Sequence, residues 1–168
     1  MSHASRKVDW CLKKAKKELE EKGVHRGLQK TEPNKAGAKL HLDKAEHNLG
    51  AAFHFAEGPY SDWTASAFFY CVYHCLLAIL QHEGYESRNQ ECTIAAIEYL
   101  TEEGKIGVDR RFTDQLKITT PEDHNIIQLR EYFQYGTEQK YVSEEEKEQL
   151  TKLCKEIIDL TKNIVHGT

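Results

Sequence analysis

The chain has 168 residues, enough for one domain with a sizeable core, and 39% of them are hydrophobic. Its 27 acidic and 23 basic residues leave a formal charge of −4, which excludes a uniformly basic surface gripping nucleic-acid phosphates, though not a local basic patch. Three prolines, ten glycines and abundant Lys, Glu, Leu and Ala favour helices over a sandwich or barrel.

The N-terminus carries His3, Arg6, Lys7 and Asp9 where a secretory signal needs an apolar core, so a cytosolic location is expected. From Val8 to Lys22 a thin stripe of Val8, Trp10, Leu12, Ala15 and Leu19 predicts a short helix lying over the rest, stopped by Gly23. The segment GVHRGLQKTEPNKAG, residues 23–37, collects Gly, Pro and Asn and reads as an ordered loop. The expected division is therefore an N-terminal part, residues 1–37, packed on a helical bundle of residues 38–168.

Leu42, Ala45, Leu49, Ala52, Phe53 and Ala56 recur at three- and four-residue steps and predict an amphipathic helix over Ala38–Glu57, ended by Gly58-Pro59. Ser61 or Asp62 then caps the next helix, and so short a link makes the two antiparallel. That next stretch, Trp63 to Leu80 (WTASAFFYCVYHCLLAIL), contains no Asp, Glu, Lys or Arg and predicts a helix buried on all sides. Its length approaches a membrane span, but Thr64, Ser66, Tyr70, Tyr73 and His74 interrupt it and no second span follows, so the core of a water-soluble bundle is the expectation.

Gly84 ends the central helix, Glu86 to Gln90 reads as a polar loop, and a helix over Asn89–Glu103 turns Ile94, Ala95, Ile97 and Leu100 inward. Residues 105–118 read as a loop with at most one helical turn. Thr120-Pro121-Glu122-Asp123 is a helix start, with the helix running to Tyr135. Ser143-Glu144-Glu145-Glu146 has capping-box spacing and opens a last helix with an apolar stripe from Leu150 to Val165. The fold class is all-α, an up-and-down bundle of four to five long helices with one short addition.

Five cysteines, an odd number without framework spacing, read as reduced thiols. Cys71, His74 and Cys75 share one helical turn, and His47 and His54 share a face, but neither set has a second ligand pair at zinc spacing. No metal and no cofactor are expected. No Gly-rich phosphate loop and no Ser-His-Asp order is present.

Arg130 is the leading site candidate. At about 100° per residue it lies about 40° from Ile126 and about 60° from Phe133, on the flank of the stripe that packs inward. An anion should meet a guanidinium held there: either a carboxylate of the fold, with Glu46, Glu57 and Asp123 as candidates, or a ligand. Tyr132, Phe133 and Tyr135 cluster around it, suited to stacking on a base or to filling a subunit interface. His74 and His124 are accessory candidates. His74 reads as a core histidine bonded to a carbonyl or hydroxyl, and His124 does not share the face of Arg130.

Trp10-Cys11-Leu12, Leu28 through Glu32-Pro33-Asn34, LHLDKAEHNLGAA, FFYCVYHCLLAIL and LREYFQY occur in an order that resembles the HEPN superfamily, in particular its small stand-alone archaeal and bacterial members. The resemblance implies a helical bundle that dimerises and is paired with a minimal nucleotidyltransferase, as a toxin–antitoxin or nucleotide-binding pair. Active relatives are metal-independent ribonucleases, in which an Arg-x4–6-His motif places arginine on the scissile phosphate and histidine on the 2′-hydroxyl proton. Here Arg130 stands at the arginine, but Tyr135, Gly136 and Thr137 occupy the three histidine positions. A tyrosine with an ordinary pKa of about 10 is a poor base at neutral pH, so strong nuclease activity is not expected. Tyr135 also stands near the position of a tyrosine that the nucleotidyltransferase modifies in related toxins.

Three functions follow in order. The first is a homodimeric module that binds a nucleotide or RNA phosphate at Arg130 with Tyr132 and Tyr135. The second is an RNA endonuclease using Arg130 with His124, Tyr135 or His74 as substitute acid or base. The third is a helical scaffold whose Arg130 makes an internal salt bridge.

Overall fold

A computed structural model describes residues 1–118 and 124–167. The uncharged stretch forms α3 (Thr64–His82), entered through a 3-10 turn at Ser61–Trp63. Ahead of it lie α1 (His3–Lys22) and α2 (Lys35–Glu57). Beyond it follow α4 (Gln90–Glu102), the one-turn α5 (Arg110–Asp114), α6 (Ile126–Tyr135) and α7 (Glu144–His166). The fold is all-α.

The most extensive packing is between α2 and α3, which run antiparallel across the short 58–63 link. The small side chains of Ala38, Ala45 and Ala52, with Leu42 and Leu49, let the two backbones approach. α7 closes the far side of α3 with Leu150, Cys154, Ile157, Ile158, Thr161 and Val165. α4 contributes Cys92, Ile94, Ala95, Ala96, Ile97 and Leu100 to the same core.

Several expectations need correction. α3 is not enclosed on all sides: Trp63, Ser66, Tyr70, Tyr73 and His74 lie at helical spacing on one stripe left exposed or half-buried, because α2, α4, α6 and α7 cover only part of its circumference. Among the described residues only the Ser61–His82 segment is long and apolar enough to cross a membrane, and 72% of its apolar window is buried inside the protein, as in a core helix.

The segment read as a loop at 23–37 contains a short strand, β1 (Leu28–Lys30), and a second, β2 (Tyr85–Ser87), runs into the expected 86–90 loop; the two pair antiparallel with Gln29 opposite Glu86. Three residues each are too few for alternation to show in the sequence. Gly84 makes the turn into β2 at φ 84°, where an added Cβ would sit 2.8 Å from the Thr31 carbonyl oxygen. α1 is longer than expected, capped by Ser2, whose hydroxyl accepts from the Ser5 N–H at 3.0 Å.

Cys11 and Cys92 are not free thiols. They form a disulfide that ties α1 to α4 across 81 residues of sequence. Packing of α1 on α4 brings their Cα atoms to 6.0 Å, a proximity that spacing along the chain does not reveal. Cys71, Cys75 and Cys154 are free and buried.

The expected helix start at 120–123 lies outside the described residues. The described α6 begins at Ile126, where the Gln115 side chain and carbonyl accept from the N–H groups of Ile126 and Ile127, both at 3.1 Å.

Candidate functional site

α6 is fixed at both ends. Ile126 and Ile127 enter the main core, while Phe133 packs with Ala65, Tyr141 and Leu129 in a small satellite cluster. Tyr141 is itself anchored: its N–H donates to the Ser61 hydroxyl at 2.9 Å, and its phenol donates to Glu146. Between these anchors Arg130 has little freedom in where it points.

Its guanidinium lies over the buried ring of Phe69, with Cζ 4.0 Å from the centroid, and 5.9 Å from that of Tyr70. The Nε atom is buried and has no hydrogen-bond partner. Among the described residues no carboxylate pairs with this arginine. Of the carboxylates offered by the sequence, Glu46 is taken by Lys162 at 2.6 Å, and Asp123 lies outside the described residues. A cation on an aromatic face with one donor buried and unanswered carries a desolvation cost that an anion within reach would offset.

From Phe69 a seam of rings leads along α3. Phe69 stacks on Tyr73 with centroids 6.0 Å apart, Tyr73 meets His74 at 6.4 Å, and His74 meets His41 of α2 at 5.2 Å. His74 is therefore not bonded to a carbonyl or hydroxyl as expected. Its Nδ1 lies 3.0 Å from Nδ1 of His41, so one imidazole donates and the other accepts. Burial, then the neighbouring His41 and Lys44, push the His74 pKa down to about 4, and burial lowers that of His41. Both rings are neutral at pH 7. Sequence spacing gave no sign of this pair, because the two histidines are on different helices.

The other predicted residues are placed differently. Tyr132 and Tyr135 are 57% and 76% exposed, and the rings beneath the guanidinium are Phe69 and Tyr70 instead. His124 is exposed, precedes α6 and has φ 49°, so it is not on the helix of Arg130. Gly136 and Thr137, two of the histidine positions, line a cleft of about 310 Å³ with Asp62, Trp63, Ser66 and Glu138. Its two carboxylates oppose an anion, and Arg130 is not among the residues that line it. A larger depression of about 970 Å³ between α2 and α7 is lined by Glu57, the remaining candidate carboxylate, but not by Arg130 or by the predicted tyrosines and histidines. Cys71 turns toward Cys154 and Cys75, and Cys75 toward Cys71 and Thr161, while His74 turns to His41, so the three side chains do not point to one centre.

The model of the HEPN domain matches residues 38–164, from the start of the α2 core face to the end of α7. The chain belongs to the HEPN domain family. The matched region contains Arg130, the α3 stripe and the histidine pair, whereas α1 and β1 lie outside it. Membership makes this a nucleotide- or RNA-related helical module in the general sense of that family. No curated protein matches the chain significantly.

Proposed function

We propose that this HEPN chain is a cytoplasmic binding and interaction module that takes a nucleotide or RNA phosphate at Arg130. It works as a homodimer and in association with a minimal nucleotidyltransferase, in a toxin–antitoxin or nucleotide-binding pair. Its nuclease activity is absent or weak. The supporting observation is the guanidinium lying over Phe69 with a buried, unpartnered Nε and no carboxylate paired to it among the described residues. Tyr70, 43% exposed beside it, offers a face for a base, and Tyr132 and Tyr135 extend the aromatic surface toward a second subunit.

Calorimetric titration of ATP and GTP into the parent and Arg130→Ala tests the binding half. Heat in the parent that disappears in the variant supports it, and identical flat isotherms refute it. Sedimentation at micromolar concentration tests the dimer, which a monomer would refute.

One observation favours the ribonuclease reading as the second choice. His74 lies one helical turn beyond Tyr70 with its Nδ1 3.0 Å from that of His41, which puts an imidazole on the same stripe, although its lowered pKa makes it a weak base. Incubation with total tRNA in EDTA discriminates. Cleavage that is lost in Arg130→Ala and in His74→Asn would carry the enzyme reading over the binding one.

A further inference from the structure

α1 lies outside the HEPN match, and its two faces differ sharply. Ala4, Val8, Cys11 and Ala15 are buried against α4 and the β1 lead-in, where an added Cβ on Gly27 would meet Ala15 Cβ at 3.0 Å. The disulfide from Cys11 to Cys92 locks this docking.

The opposite face is centred on Trp10, which is 51% exposed. At about 100° per residue, Arg6, Lys7, Lys13, Lys14 and Lys17 all fall within about 60° of it, and Glu21 is the only acid in that sector. A chain of formal charge −4 thus gathers five cations around one indole. The Nζ atoms of Lys7 and Lys14 lie 4.5 and 4.9 Å from the ring centroid. Lys7, Lys13 and Lys17 also meet Glu91, Asp9 and Glu21 at 3.1, 2.8 and 3.8 Å, surface pairs that water and salt weaken. Arg6 and Lys14 have no carboxylate partner among the described residues.

We propose that this face of α1 is a binding surface for single-stranded nucleic acid, with phosphates on Arg6, Lys7, Lys13, Lys14 and Lys17 and a base stacked on Trp10. From Arg6 to Lys17 the helix rises about 17 Å, the length of about five phosphates in a stacked strand. Stacking on an aromatic ring set among cations is tolerant of sequence, which suits a surface with no bidentate base reader. An anionic membrane is the weaker occupant. The apolar face of α1 is already consumed by docking, and Trp10 alone is left to insert. Arg130, on α6, is not part of this face.

Fluorescence anisotropy of a labelled single-stranded oligouridylate, titrated with the whole protein across a salt series, tests it. The parent binds, and Lys13→Ala/Lys14→Ala/Lys17→Ala weakens binding at least about tenfold while reducing the slope of log K against log salt by about 2. Trp10→Ala weakens binding severalfold with a nearly unchanged slope. These side chains face solvent, so the melting curves of the variants should overlay that of the parent. Equal affinity in parent and triple variant would overturn the proposal. So would binding to phosphatidylserine vesicles without binding to the oligonucleotide, or loss confined to Arg130→Ala.

Discussion

Arg130→Met separates an arginine kept for a ligand from one kept for the fold. In the free protein its buried, unpaired Nε costs about 1–3 kcal/mol. The contact with Phe69 returns about 0.5–2 kcal/mol. Methionine keeps an unbranched apolar stem over the same ring, with a sulfur–aromatic contact of about 0.3–1.5 kcal/mol, and leaves no unsatisfied donor. The variant is therefore expected to be as stable as the parent or up to about 1 kcal/mol more stable, a rise in Tm of at most about 2–4 °C. Urea unfolding followed by far-ultraviolet circular dichroism measures this, and calorimetry on the same sample should show nucleotide binding lost. An arginine serving an internal ion pair behaves oppositely, since its removal strands a carboxylate at about 3–5 kcal/mol. A loss of more than about 2 kcal/mol in Arg130→Met would refute the reasoning and restore the scaffold reading.

Reducing the Cys11–Cys92 bond, or replacing both cysteines with serine, should lower stability by about 2–4 kcal/mol, given the 81-residue separation it closes. Urea midpoints with and without dithiothreitol should differ for the parent and coincide for the double variant. The histidine pair should make stability fall in mild acid. The pKa of His74 drops from the ordinary 6.5 to about 4 on folding, so the unfolded chain binds the extra proton and stability is lost as pH falls from 6.5 toward 4. Solvent screening of this half-buried ring reduces the effect to about 1 kcal/mol, and His74→Asn should flatten that part of the profile. The two glycine substitutions should move Tm in opposite directions. Gly84→Ala, with φ 84° and a 2.8 Å clash with the Thr31 carbonyl, should cost about 1–3 kcal/mol. Gly50→Ala, on the exposed face of α2 with nothing within 4 Å, should add about 0.5–1 kcal/mol.

Most of the bundle was legible because its helices state their own periodicity. Leu42, Ala45, Leu49 and Ala52 mark the inner face of α2, and Leu150 through Val165 mark that of α7. What the sequence hid were relations between segments. β1 and β2 are three residues each and exist only by pairing with one another. Cys11 and Cys92 become neighbours only once α1 docks on α4. The His41–His74 bond joins two helices whose register no local pattern encodes. Arg130 was legible in angle but not in surroundings. The wheel placed it beside Ile126 and Phe133, while the ring beneath it, Phe69, comes from a helix some sixty positions earlier.

The placement of Arg130 also bears on why no carboxylate among the described residues pairs with it. Asp62 and Glu138 line a cleft with Phe133 and Gln134 at the C-terminal end of α6, and Arg130 is not part of that lining. Phe133, seated against Ala65 and Tyr141, and Ile126 and Ile127, seated in the main core, fix the rotation of α6 and keep the guanidinium on the aromatic face of α3. The packing of α6 therefore does more than bury apolar surface. It also holds a cation against Phe69, and an arginine with no described carboxylate partner could meet an anion from outside the chain without first breaking an internal pair.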